Sequence, residues 1–102
     1  MESNKRTAVQ HVEHETGFTM SEKQRTIIKV LCEQRTAFLQ FHLNMDNTVS
    51  WYVIDKEGNL FDKISDKKAK PLEYAGILVR TYKGYFLPEK FKNFFSNNKT
   101  TQ

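Results

Sequence analysis

Between Ser21 and Asn44 the apolar positions recur with a helical period. Ile27, Ile28, Leu31, Phe38, Leu39, Phe41 and Met45 project to one side of a helical wheel. Arg25, Lys29, Glu33, Thr36, Gln40 and Asn44 project to the other. Ser21-Glu22-Lys23-Gln24 starts the run with a capping-box pattern, in which the serine oxygen accepts from the amide three residues on and the glutamine reaches back. No Gly, Pro, Asn or Asp interrupts residues 21–43, which favours one amphipathic helix to about residue 43. The same residues admit a second reading. If the helix stops near Gln34, "TAFLQFHLN" becomes a strand with Ala37, Leu39, Phe41 and Leu43 on one face, turning through Met45-Asp46-Asn47.

The pattern then changes to a period of two. "TVSWYVID" is β-branched and aromatic, Glu57-Gly58-Asn59 supplies a turn, and Leu60 to Ile64 returns, predicting a hairpin. Val49, Trp51 and Val53 share one face and Tyr52 and Ile54 the other, so both faces are expected to be covered. "SDKKAKPLEY" reads as a basic connection, either a loop or a short helix starting at Pro71. "AGILVRTY" and "YFL" form a second hairpin about a two-residue Lys83-Gly84 turn. Pro88 opens a closing helix, "PEKFKNFF", with Phe91, Phe94 and Phe95 as its buried stripe. The expected fold class is α+β: an N-terminal amphipathic helix, antiparallel hairpins forming a small sheet, and a short C-terminal helix packed on it. Residues 21–96 are the single domain. The polar residues 1–20 are expected to be a flexible arm, and residues 97–102 a disordered tail.

Composition narrows the class. A chain of 102 residues supports one small core. Its hydrophobic fraction of 38% is low, and the 13% of aromatic residues compensate, because each ring buries a large area. Homodimerisation would help so small a domain. One cysteine, Cys32, allows no internal disulfide and fits a reducing compartment. The longest apolar run, "YAGILV", cannot span a membrane, and the N-terminus has no apolar leader segment; the expected location is cytoplasmic.

Charge adds the functional hint. Residues 1–62 carry seven Lys/Arg and nine Asp/Glu, net −2; residues 63–99 carry nine and three, net +6. Such asymmetry points to a polyanionic partner. Lys63, Lys67, Lys68 and Lys70 place four cations in eight residues, suited to following a phosphate backbone. Arg80, Tyr82, Lys83 and Tyr85 put rings beside cations at the second hairpin, where phosphates would take the charge and bases the rings. "EYAGILVRTYKGYFLP", residues 73–88, resembles the end of a recognition helix and the wing hairpin of winged-helix DNA-binding domains. "KGYFLPEKFKNFF", residues 83–95, resembles the strand-to-helix junction of the positive cofactor 4-like single-stranded-DNA-binding fold, in which a four-stranded antiparallel sheet precedes a helix. Both resemblances imply nucleic acid.

The other candidates are weaker. His11 and His14 share a helical face but lack further zinc ligands, so no metal site is expected. Cys32 with His42 has no orienting third group and no signature spacing. Asp55, Glu57 and Asp62 lack the calcium-loop pattern. With four glycines and no phosphate-loop or nucleophile motif, neither a cofactor nor an enzyme is expected. The sequence therefore predicts a small non-enzymatic nucleic-acid-binding protein of regulatory or accessory type, contacting DNA or RNA through Lys63, Lys67, Lys68, Lys70, Arg80, Tyr82, Lys83 and Tyr85. The alternative is a protein-interaction module acting on a larger protein through Trp51, Tyr52 and the first helix.

Overall fold

The computed structural model describes residues 7–93. An ordered helix, α1 (Ala8–Thr16), stands where the sequence predicted a flexible arm. Thr7 and Gln10 form a capping box at its start, and Gly17 ends it in the left-handed region at φ 72°. Its apolar residues are few but small, and Ala8, Val9 and Val12 all reach the core. Helix α2 (Glu22–Glu33) begins at the predicted Ser21–Gln24 capping box and buries Ile27, Ile28, Leu31 and Cys32.

The long-helix reading fails at Gln34, where the backbone turns extended (φ −103°, ψ 94°). Residues Phe38–Leu43 form strand β1, as the second reading had it. The cause is non-local. β1 pairs along its whole length with β2 (Val49–Ile54), from Phe38↔Ile54 to Leu43↔Val49, so six residues gain a ladder that a helix would deny them. β3 (Leu60–Ser65) completes the predicted hairpin, with a bulge opposite Val53/Ile54 that leaves Phe61 as the extra residue.

The basic connection is helix α3 (Asp66–Tyr74), one turn earlier than Pro71 suggested. Ser65 caps it by accepting from the Lys68 amide, and Asp66 lies at the positive end of its dipole. Pro71 sits inside the helix, where it has no amide to return to Lys67; the helix runs only to Tyr74 beyond it. β4 (Val79–Thr81) and β5 (Gly84–Phe86) form the second hairpin. Thr81 pairs with Gly84, so the turn residues are Tyr82 and Lys83, one place earlier than predicted. Gly84 is required for another reason: a Cβ there would lie 2.0 Å from the Leu39 carbonyl oxygen, where β5 meets β1. A closing helix, α4, starts at residue 89 and is described to residue 93; the Pro88 carbonyl accepts from the Phe91 and Lys92 amides. The expected contributions of Phe94 and Phe95, and the predicted tail at 97–102, lie outside the described residues.

The five strands form one antiparallel sheet in the order β3-β2-β1-β5-β4. All helices gather on one side. Leu39, Trp51, Val53, Ile64 and Tyr85 face them and join the helical residues in a single core. α3 is tied to the sheet by Trp51 Nε1 donating to Asp66 Oδ1 at 2.8 Å, and to α2 by Gln24 Nε2 donating to the Lys68 carbonyl at 2.8 Å. With two helices ahead of the sheet and a third between β3 and β4, the topology follows neither the winged-helix nor the four-stranded pattern that residues 73–95 suggested.

Candidate functional site

Antiparallel sheets covered on one side normally turn polar residues outward. The other side of this sheet does so only in part. Register places Leu60, Ile54 and Phe38 side by side. Phe38 stacks on Phe86 with ring centroids 4.9 Å apart and planes within 6°, and Phe86 pairs with Val79. One apolar row thus crosses all five strands. The next row holds Lys63, Tyr52 and Gln40, and the third Ser65, Ser50 and His42. His42 and Tyr52 form a second stacked pair, at 4.5 Å and 17°. Among the described residues no helix packs on this face, so the expectation that the first hairpin is covered on both sides is corrected. No strand residue on it is a carboxylate.

The acids are spent on the helical side or in turns. Glu13 accepts from Arg25 Nε at 3.1 Å and Asp62 from Lys23 Nζ at 2.7 Å. Asp66 holds Trp51, and Glu73 accepts from the Tyr85 hydroxyl. Asp55 and Asp46 each close their own turn; hydrogen bonds from Asn59 and from Thr48 hold these carboxyls below their ordinary range.

The predicted basic surface is divided by this architecture. Lys63 leaves the open face at the β3 edge, whereas Arg80, opposite Tyr85, leaves the helical face of β4. Its guanidinium lies 5.3 Å from the Trp51 ring centroid and 5.5 Å from that of Tyr85. Lys67, Lys68 and Lys70 belong to α3 in the helical layer, and Lys70 Nζ stands 4.0 Å from Asp66 Oδ2. Tyr82 and Lys83 sit together at the β4–β5 tip, the ammonium 6.0 Å from the Tyr82 ring centroid. Tyr82 is exposed, as expected. Tyr85 is a correction: it is fully buried against Trp51, 4.5 Å between centroids, because it lies on the core side of β5. Burial and the Glu73 carboxylate push its phenol up to about 12. The eight residues singled out from the sequence therefore do not share one surface. Lys92, a further cation of the C-terminal half, is buried with Nζ on the Arg35 carbonyl at 2.6 Å; burial lowers its pKa. Among the described residues, Lys56, Lys63, Lys67, Lys68, Arg80 and Lys83 have no carboxylate within 4 Å.

The ring pairs Phe38–Phe86 and His42–Tyr52 are functional candidates that the sequence did not single out as pairs; Tyr52 entered it only as an interface residue and His42 only as a partner for Cys32. Their partnership depends on the register of β1 with β2 and β5. The alternation of "FLQFHL" was the one available signal, because as a strand it turns Phe38, Gln40 and His42 to the face opposite Leu39.

A groove of about 550 Å3 runs between α1 and α2, with Cys32 in its lining. Burial pushes that thiol up to about 11, so it stays protonated and unreactive near neutral pH. Among the described residues no three His, Cys, Asp or Glu side chains are grouped to hold a metal ion, and no helix is long and apolar enough to cross a membrane.

No family model, curated protein or solved structure matches this chain. The site rests on its own geometry.

Proposed function

We propose that the protein is a non-catalytic nucleic-acid-binding domain that works through the open face of its sheet. The observation that carries this reading is a face bearing two stacked ring pairs, hydrogen-bonding groups on Gln40, Ser50 and Ser65, and no strand carboxylate. Unpaired bases stack on such rings, and a carboxylate there would repel phosphate. Lys63 on the face, with Lys56 and Lys83 in the adjoining turns, supplies unpaired charge for the backbone. Of the residues first singled out, Lys63 lies on this face and Tyr82 and Lys83 stand at the β4–β5 tip beyond its edge; Lys67, Lys68, Lys70 and Arg80 lie on the other side of the sheet.

The test is fluorescence anisotropy with labelled DNA and RNA, single and double stranded, at about 50 and 300 mM salt. Binding is expected at low salt and should weaken steeply at high salt. Lys63→Glu should weaken it at least tenfold without changing the melting temperature. Affinity unaltered by Lys63→Glu removes the open face from the reading.

A second reading, a protein-interaction module, is favoured by one different observation. Phe41, Leu43 and Met45 are exposed together along β1 and its turn, outside the cover of the helices. A partner captured by the wild type after nuclease treatment, and lost with Leu43→Asp, would support it.

A further inference from the structure

Resting on the nucleic-acid reading, we infer that the ligand is a single strand at least three nucleotides long, and not a duplex. The apolar row Leu60–Ile54–Phe38–Phe86–Val79 excludes the duplex. A duplex turns its phosphates outward and its bases inward, so docking it here would press charge against apolar side chains and leave the rings without a base to meet. A single strand turns its bases out and its phosphates away.

The minimum length follows from spacing. Phe38 and His42, one from each ring pair, are four residues apart on β1, which is about 13 Å at the strand rise. An unstacked strand advances by up to about twice the ~3.4 Å rise of a stacked one. Two steps therefore separate the ring pairs, and the shortest strand that engages both has three nucleotides, with its first and third bases on rings. Lys63, directly opposite Tyr52, places an ammonium beside the second pair for the intervening phosphates.

The experiment is an NMR titration of the isotope-labelled full chain at about 50 mM salt. The probes are oligo(dT) of two, three, four and eight nucleotides, and a twelve-base-pair duplex. Amide shifts at both ring pairs are expected with three or more nucleotides, and affinity should step up at least tenfold from two to four. The duplex should bind at least tenfold more weakly than the eight-nucleotide strand. Tyr52→Ala and Phe86→Ala should each cost the tetranucleotide about tenfold, and the double variant should bind it no better than the dinucleotide. Melting curves identify any variant that fails to fold, and Gln40→Ala offers a milder probe of the same face. Duplex binding as tight as single-strand binding, or no step with length, overturns this inference and leaves the nucleic-acid reading standing. No shift with any probe overturns both.

Discussion

The two faces of one sheet are built from alternate residues of the same strands and have opposite fates. On the helical face, Leu39, Trp51, Val53, Ile64 and Tyr85 are taken out of water, and the polar atoms that go with them find partners: indole to Asp66, phenol to Glu73. On the open face, Phe38, Tyr52, His42 and Phe86 remain partly exposed and stack in two pairs. The cores of stable domains follow the first pattern, since a buried polar group without a partner is costly. Solvated sheet faces are normally polar and follow neither. The difference teaches that stability is concentrated on one parity of residues and binding potential on the other, so neighbouring positions in one strand are expected to answer different assays.

The sharpest test compares consecutive residues of β2. Trp51→Ala empties the core beneath α3, frees Asp66 and removes the ring under Arg80; a loss of about 3–5 kcal/mol is expected. For a domain of this size that lowers the melting temperature by roughly 12 °C or more. Tyr52→Ala, one residue on, should cost about 1 kcal/mol or less. Thermal unfolding of the two variants checks it, and equal losses would break the contrast between the faces.

Local signals were legible in the sequence, and pairings were not. The Ser21–Gln24 cap and the Val49–Ile64 hairpin were readable because their determinants lie within a few residues. The same logic at Thr7–Gln10 marks α1, yet only small apolar residues follow it, and they look too few to anchor a helix until Met20 and α2 are seen to enclose them. Residues 36–44 satisfy both periods, since Phe38, Leu39 and Phe41 suit a helical stripe and Ala37, Leu39, Phe41 and Leu43 a strand face. Pairing with β2 decides between them. The site suffered most. Closeness in sequence put Tyr85 among cations, but its parity on β5 sends it inward, and Phe86 meets a ring 48 positions earlier in the chain.

A smaller effect separates the faces by pH. The Tyr85 phenol, ordinarily near 10.0, is pushed up to about 12 by burial and by Glu73. A pKa raised in the folded state means that the folded protein keeps a proton the unfolded chain releases. Its stabilising contribution is therefore whole below pH 10 and is lost as pH rises towards 12. Cys32, raised from 9.0 to about 11, acts in the same direction, and Lys92, whose pKa is lowered, acts against both. Urea unfolding at pH 8, 10 and 11 should show stability falling over the upper interval, and Tyr85→Phe should flatten that fall. At pH 8 the same variant should lose about 1 kcal/mol with its hydrogen bond. An unchanged alkaline slope would mean that the phenol is not held as described.

The smallest expected change in stability carries the finest test of which face binds. Lys63 and Lys68 are both exposed and have no carboxylate partner within 4 Å, and they lie on opposite sides of the sheet. Replacing either by alanine should alter stability by no more than about 0.5 kcal/mol, as for most surface positions. Their effect on nucleic-acid binding should differ. Each phosphate neutralised on a single strand contributes about −0.7 to the slope of log affinity against log salt. Lys63→Ala should therefore make that slope about 0.7 less steep, while Lys68→Ala leaves it unchanged. The reverse result would move the phosphate contacts to α3, and with them the site to the helical side. Because both variants remove the same charge, net charge alone cannot produce the difference; only the side of the sheet from which the ammonium reaches the ligand can.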